Sequence, residues 1–171
     1  MMLEFISGII TRDLRSLRKE IEAYRDERDL WQTAPGITNS AGTLALHLAG
    51  NLQYHIGALL GGSGYVRDRN AEFELRDVHR DELLRRIDAA AAAVEQTLAR
   101  LTDRDLERPY PQAVGGVDTT TGDFLLHLAV HLTYHLGQID YHRRILTKEA
   151  RPVRALVIPE LKSARPAKQT S

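Results

Sequence analysis

Apolar residues recur every three or four positions through four stretches of the chain, and each stretch is bounded by residues that cap or stop a helix. The first predicts a helix over about residues 3–30, with Ile6, Ile10, Leu14, Leu17, Ile21 and Tyr24 at helical spacing amid charge. It closes near Trp31, ahead of Pro35-Gly36. The second follows Thr38-Asn39-Ser40, any of which can cap free N–H groups. It carries Leu44, Leu48, Leu52, Ile56 and Leu59 on one side and stops at Gly61-Gly62-Ser63-Gly64. The third covers roughly 78–101, where Leu84, Ile87, Ala91, Val94, Leu98 and Leu101 keep the period. Its alanine run, Ala89 to Ala93, favours helix and permits close packing. The fourth starts near Thr120-Thr121-Gly122-Asp123, a capping-box-like arrangement with Asp in place of Glu, and continues to about Leu146. Together they predict an all-α, four-helix bundle.

Two segments fall outside this pattern. Residues 102–118 contain Pro109, Pro111 and Gly115-Gly116, too long and too punctuated for a tight antiparallel turn. Such a connection crosses the bundle or shapes a pocket mouth. After Glu149 the chain is proline-punctuated and mildly basic, with Arg151, Arg154, Lys162, Arg165 and Lys168, yet it also holds Leu156-Val157-Ile158. The expectation is a bundle domain over 1–150 and a tail over 151–171 that is partly docked, then disordered. No internal repeat is evident. The glycine-rich stretch follows a helix instead of linking a strand into one, so it is not a phosphate loop.

Composition narrows the chemistry. At 171 residues and 43% hydrophobic content the chain suits one domain with a sizeable core. Lys plus Arg, 23, equals Asp plus Glu, 23, so nothing in the overall charge favours nucleic acid or a charged membrane surface. With no cysteine, a disulfide framework, a Cys-ligated zinc site and a thiol nucleophile are all excluded, and any metal is held by nitrogen and oxygen. The early Glu4 does not read as a secretory signal, and no apolar run approaches the roughly 20 residues that span a bilayer. A soluble cytoplasmic protein is expected.

Candidate ligands stand out on helix four. His127, His131 and His135 recur every four residues, and at about 100° per residue His131 and His135 sit one turn apart, differing by about 40°. Leu125, Leu128, Leu132, Leu136 and Ile139 form the adjoining apolar arc, with His127, His131, His135, Gln138 and His142 at its margin. Helix two places His47, Asn51 and His55 at the equivalent border, so the two stripes could face each other. His47 is the expected third ligand to His131 and His135, with His55 and His127 as further candidates. Three imidazoles suit zinc, nickel, copper or iron and leave positions open for water or substrate. The competing reading is polar packing, which is the default for lone histidines such as His79 and His142. Tyr54, Tyr134 and Tyr141 read as core or bundle-edge aromatics. Gln138 either orients a ligand through its amide or makes a structural hydrogen bond. Arg67-Asp68-Arg69 reads as a solvated, ion-paired loop, or else meets an anionic substrate group.

These residues resemble the DinB/YfiT-like superfamily of metal-binding four-helix bundles over most of 3–148. The resemblance rests on Thr38-Asn39-Ser40 leading to His47-Leu48-Ala49-Gly50-Asn51-Leu52, on Gly61-Gly62 with Arg67-Asp68-Arg69 and Glu72-Phe73, and on His131-Leu-Thr-Tyr-His135-Leu-Gly137-Gln138. It implies a ligand triad of His47, His131 and His135 completed by water, an up-down-down-up bundle, and a homodimer. It further implies a divalent metal, zinc or nickel ahead of iron, manganese or copper, that activates a low-molecular-weight thiol for S-transfer to a small-molecule substrate. A metal-dependent hydrolase and a non-enzymatic, stress-associated bundle are the alternatives. Leu136 departs from the pattern, standing where Arg is often found.

Overall fold

The computed structural model describes residues 1–153 and 156–167. Helix α1 is Met2–Glu22, and Leu3, Ile6, Ile10, Leu14, Leu17 and Ile21 form the buried stripe their spacing dictates. It ends at Glu22 rather than near residue 30. The cause is local: Asp26 accepts a hydrogen bond from the Arg28 N–H and starts a separate 3-10 turn, Glu27–Leu30. Tyr24 and Leu30 still reach the core, so the apolar period outlasts the helix.

Helix α2, Ala41–Leu52, is capped by Ser40, whose hydroxyl oxygen accepts from the Thr43 N–H. It then widens into a π turn, Gln53–Ala58, in which the Leu59 N–H donates to the Tyr54 carbonyl. A short helix absent from the hydrophobic pattern, α3 (Arg69–Glu74), is capped by Asp68 through the Ala71 N–H. Its six residues are too few to display a period. Helix α4 is Arg80–Leu98, and α5 is Thr121–Thr147, capped by Thr120 through the Asp123 N–H. Among the described residues there is no strand. Two isolated bridges, Pro109 with Thr120 and Val114 with Val117, fold the last connection into a hairpin-like loop turning at Gly115-Gly116, both at positive φ.

The all-α bundle that the pattern predicts thus forms from four long helices with α3 as an addition. Contacts that rise together set α1 alongside α5 in the same direction: Asp13 accepts from the Thr133 hydroxyl at 2.6 Å, and Glu20 accepts from Arg143 Nε at 2.6 Å. Helix α2 runs against α5, with His47 near His131 and His55 near Phe124. It runs with α4, where Gly57 packs on Ala93 and Gly61 on Thr97. Covered by α3, α4 and α5, α2 is buried on all sides, not on the single side its leucines predict. Beyond α5, the turn Ile158–Glu160 lies against α1. Arg15 pairs with Glu160 at 3.5 Å, and a Cβ on Gly8 would fall 2.8 Å from Lys162 Cγ. The expected disordered end, with Lys168, and Arg154 lie outside the described residues. Among those described, no helix is long and apolar enough to cross a membrane.

Candidate metal centre

The antiparallel pairing of α2 with α5 brings three imidazoles to one point. His47 Nε2 lies 3.3 Å from His131 Nε2, which lies 3.1 Å from His135 Nε2. One ligand atom from each of the three falls within 4.8 Å of the others. The rings of His131 and His135 stand edge to face at 88°, as do those of His47 and His135. His47 is buried and the other two are half-buried. Lone pairs converging at this distance suit a shared cation, and the cluster could hold a metal ion.

Neighbouring side chains fix which nitrogen each ring presents. Glu72 Oε2 lies 3.0 Å from His47 Nδ1, and Gln138 Oε1 lies 2.7 Å from His135 Nδ1. A carboxylate and an amide oxygen only accept, so both Nδ1 atoms carry the proton and both Nε2 lone pairs point into the cluster. Arg67 holds Glu72 in turn, donating from Nε to Oε1 at 2.7 Å and from Nη2 to Oε2 at 2.8 Å. This overturns the reading of Arg67 as part of a solvated loop. Its side chain is largely buried and is committed to Glu72.

Residues 10–139 match the DinB superfamily. The chain belongs to that superfamily. A comparison with curated proteins returns no match. In this DinB chain the matched stretch takes in the histidine triad, Glu72 and Gln138, and stops short of His142 and the tail.

Glu72 and its Arg67 clamp are the site residues that periodicity misses, since α3 is too short to show a pattern. The available signal is Gly50, a glycine inside a helix. A Cβ there would fall 2.2 Å from Glu72 Oε1, so Gly50 is the space the carboxylate occupies. Gly50→Ala is therefore expected to push Glu72 off His47 and weaken metal binding about 10- to 100-fold while leaving every ligand in place. Competition with a chromophoric chelator measures it; unchanged affinity would remove Glu72 from the site.

The other candidates separate from the triad. His55, within the π turn, packs on Phe124 and Tyr110. The Tyr110 hydroxyl donates to the His55 carbonyl at 2.7 Å, so its oxygen accepts from His55 Nδ1 at 3.1 Å. His127 is exposed and stacks on Phe124. His142 is buried rather than marginal: Nδ1 accepts from the Tyr24 hydroxyl at 2.7 Å and Nε2 donates to the Gln32 carbonyl at 2.8 Å. Asn51 is buried between His47 and His55 with Oδ1 unpartnered among the described residues. Tyr54 donates to Gln112 at 2.7 Å. Tyr134 and Tyr141 lie on the outer surface, not in the core, because α5 turns that side away from every other helix.

Burial, with Arg67 adding to it, pushes His55 down to about 4. Burial, then the neighbouring His135 and His47, does the same to His131, also to about 4. Both are therefore neutral at pH 7. In metal-free protein their ring protons, followed by NMR, should titrate near 4 rather than near the ordinary 6.5. The unfolded rings take up protons from 6.5 downward and the folded ones do not. The His55 contribution is complete above 6.5 and falls by about 2 kcal/mol as the pH drops toward 4.

Proposed function

We propose that His47, His131 and His135 hold a divalent ion, zinc or nickel ahead of iron, manganese or copper, and that the protein is a metal-dependent S-transferase working with a low-molecular-weight thiol. The convergence of three Nε2 lone pairs, two of them fixed by Glu72 and Gln138, carries this reading. Three protein ligands leave coordination positions open, the pattern of a catalytic rather than a structural site. A divalent ion held there supplies Lewis acidity, drawing a thiol toward its nucleophilic thiolate form at neutral pH.

The chain's own residues prepare that site. Glu72 and Gln138 keep protons off the inward nitrogens, and Arg67 holds Glu72 in place. With no cysteine in the chain, the sulfur nucleophile comes from outside. Tyr54, His55, Arg67 and Gln112 line a cavity of about 540 Å³, a size that suits a small molecule, and it reaches the triad only through Arg67, which holds Glu72 on His47. Zinc- or nickel-loaded protein should consume glutathione, bacillithiol or mycothiol in the presence of an electrophile panel at least about 100-fold faster than His131→Ala does. Equal rates with all three thiols would overturn the transferase reading.

A further inference from the structure

A buried amide next to the triad is left without a partner. Asn51 keeps 8% of its surface in solvent, and its Oδ1 is enclosed with no hydrogen bond among the described residues. A buried acceptor left unmade is costly, so a fold that keeps one has another use for it. Arg18, Glu20 and Arg80 also have an unpartnered side-chain atom, but each is tied down through a different one. Arg18 Nε pairs with Asp88, Glu20 Oε2 accepts from Arg143, and Arg80 Nη2 donates to the Tyr24 carbonyl. The Asn51 side chain forms no hydrogen bond among the described residues, so packing within the chain does not account for an amide there.

Its place in the fold puts that acceptor beside the metal centre. Residues four apart share a helix face, so Asn51 lies between His47 and His55 on the side that α2 turns toward α5. The donors around it are spent. His47 and His55 give their Nδ1 protons to Glu72 and to the Tyr110 hydroxyl. Arg67 comes within 3.4 Å of both flanking rings, Nη2 at His47 Nδ1 and Nη1 at His55 Nε2, yet its hydrogen bonds go to Glu72 and none goes to Asn51. The acceptor therefore waits for a proton donor carried in by a ligand.

We propose that Asn51 sets the specificity for the thiol: Oδ1 accepts from an N–H two carbons away from the sulfur, so the site takes β-amino and β-amido thiols and discriminates against thiols without that N–H. The assignment rests on the thiol-dependent reading above. With the sulfur drawn to the triad, the acceptor lies about 6 Å further along α2 than His47, a gap that two carbons and one hydrogen bond bridge. Glutathione, bacillithiol and mycothiol all carry nitrogen bearing hydrogen at that position, because each is built on a cysteinyl unit. A simple alkyl thiol does not.

Thiol binding to the cobalt-loaded full chain, read from sulfur-to-cobalt charge-transfer absorption, tests this without turnover. Two probes of the same shape suffice. N-acetylcysteamine has an N–H two carbons from its sulfur, and 2-mercaptoethyl acetate has an ester oxygen there. The wild type should bind the amide at least about 10-fold more tightly, since the ester sets oxygen against oxygen and leaves Oδ1 unpaired. Asn51→Leu should bind the two probes equally, with metal content and helical circular dichroism unchanged. Its Tm should be no lower than that of the wild type, because no hydrogen bond within the chain is lost. A variant with a lower Tm that still prefers the amide would make Asn51 a structural residue and overturn the proposal. Equal affinities in the wild type, or a tighter ester, would overturn it as well, and that comparison needs no variant to fold. Failure of both probes and of all three natural thiols to give the absorption would instead overturn the transferase reading, and this assignment with it.

Discussion

Replacing His47, His131 or His135 with alanine is expected to remove most of the bound metal, from about one ion per chain to less than about a tenth of that, by mass spectrometry on untagged protein. Each variant removes one of only three nitrogen ligands, and no other histidine, aspartate or glutamate among the described residues joins the cluster to substitute. The loss is not attributable to unfolding. His131 and His135 are only half-buried, and deleting the His47 ring leaves the Glu72–Arg67 ion pair closed. His55→Ala and His127→Ala serve as controls that keep their metal, because neither ring points into the triad. A folded wild type that takes up neither zinc nor nickel would reduce the three imidazoles to polar packing and end the catalytic reading with it.

The largest stability effect is expected at Arg143, outside the histidine triad. Its side chain is fully buried, and Nε donates to Glu20 Oε2 at 2.6 Å, while Nη2 reaches Asp140 and the Arg151 carbonyl. Burial raises the Glu20 carboxyl to about 7 even with Arg143 pulling the other way. Arg143→Leu leaves that carboxyl in the core without its cation, at a cost of about 3 kcal/mol or a fall of about 10 °C in Tm by calorimetry. A carboxyl with a raised folded pKa favours the fold below 4.5 and loses that contribution as the pH rises through 7, so the variant should suffer less at pH 5 than at pH 8. Glu20→Met combined with Arg143→Leu should recover most of the loss, since an apolar pair needs no counter-charge. A double variant as unstable as the single would mean that the shape of Arg143, not its charge, holds α1 to α5.

Much of the fold was legible because it is local. The Ser40 and Thr120 caps, the stripes of α1 and α5, and the one-turn spacing of His131 and His135 all depend on residues within a few positions of one another. Where the pattern misled, a short-range competitor or a distant neighbour intervened. Asp26 ended α1 early while Tyr24 and Leu30 kept the apolar period going. On α2 the leucines marked one side, but neighbours arriving from α3, α4 and α5 buried the rest.

By itself the sequence determined an all-α bundle, the two histidine stripes and the lack of any internal thiol, because helical periodicity and composition are properties of the chain read in order. The resemblance to DinB proteins narrowed the stripes to one triad. Only the tertiary structure decided that His47 Nε2 meets those of His131 and His135, that Glu72 fits the space left by Gly50, and that Arg67 faces inward. It also decided that Tyr134 and Tyr141 face outward. Those facts depend on how α2, α3 and α5 are set against one another, and hence on contacts between residues far apart in the chain, which no local period encodes.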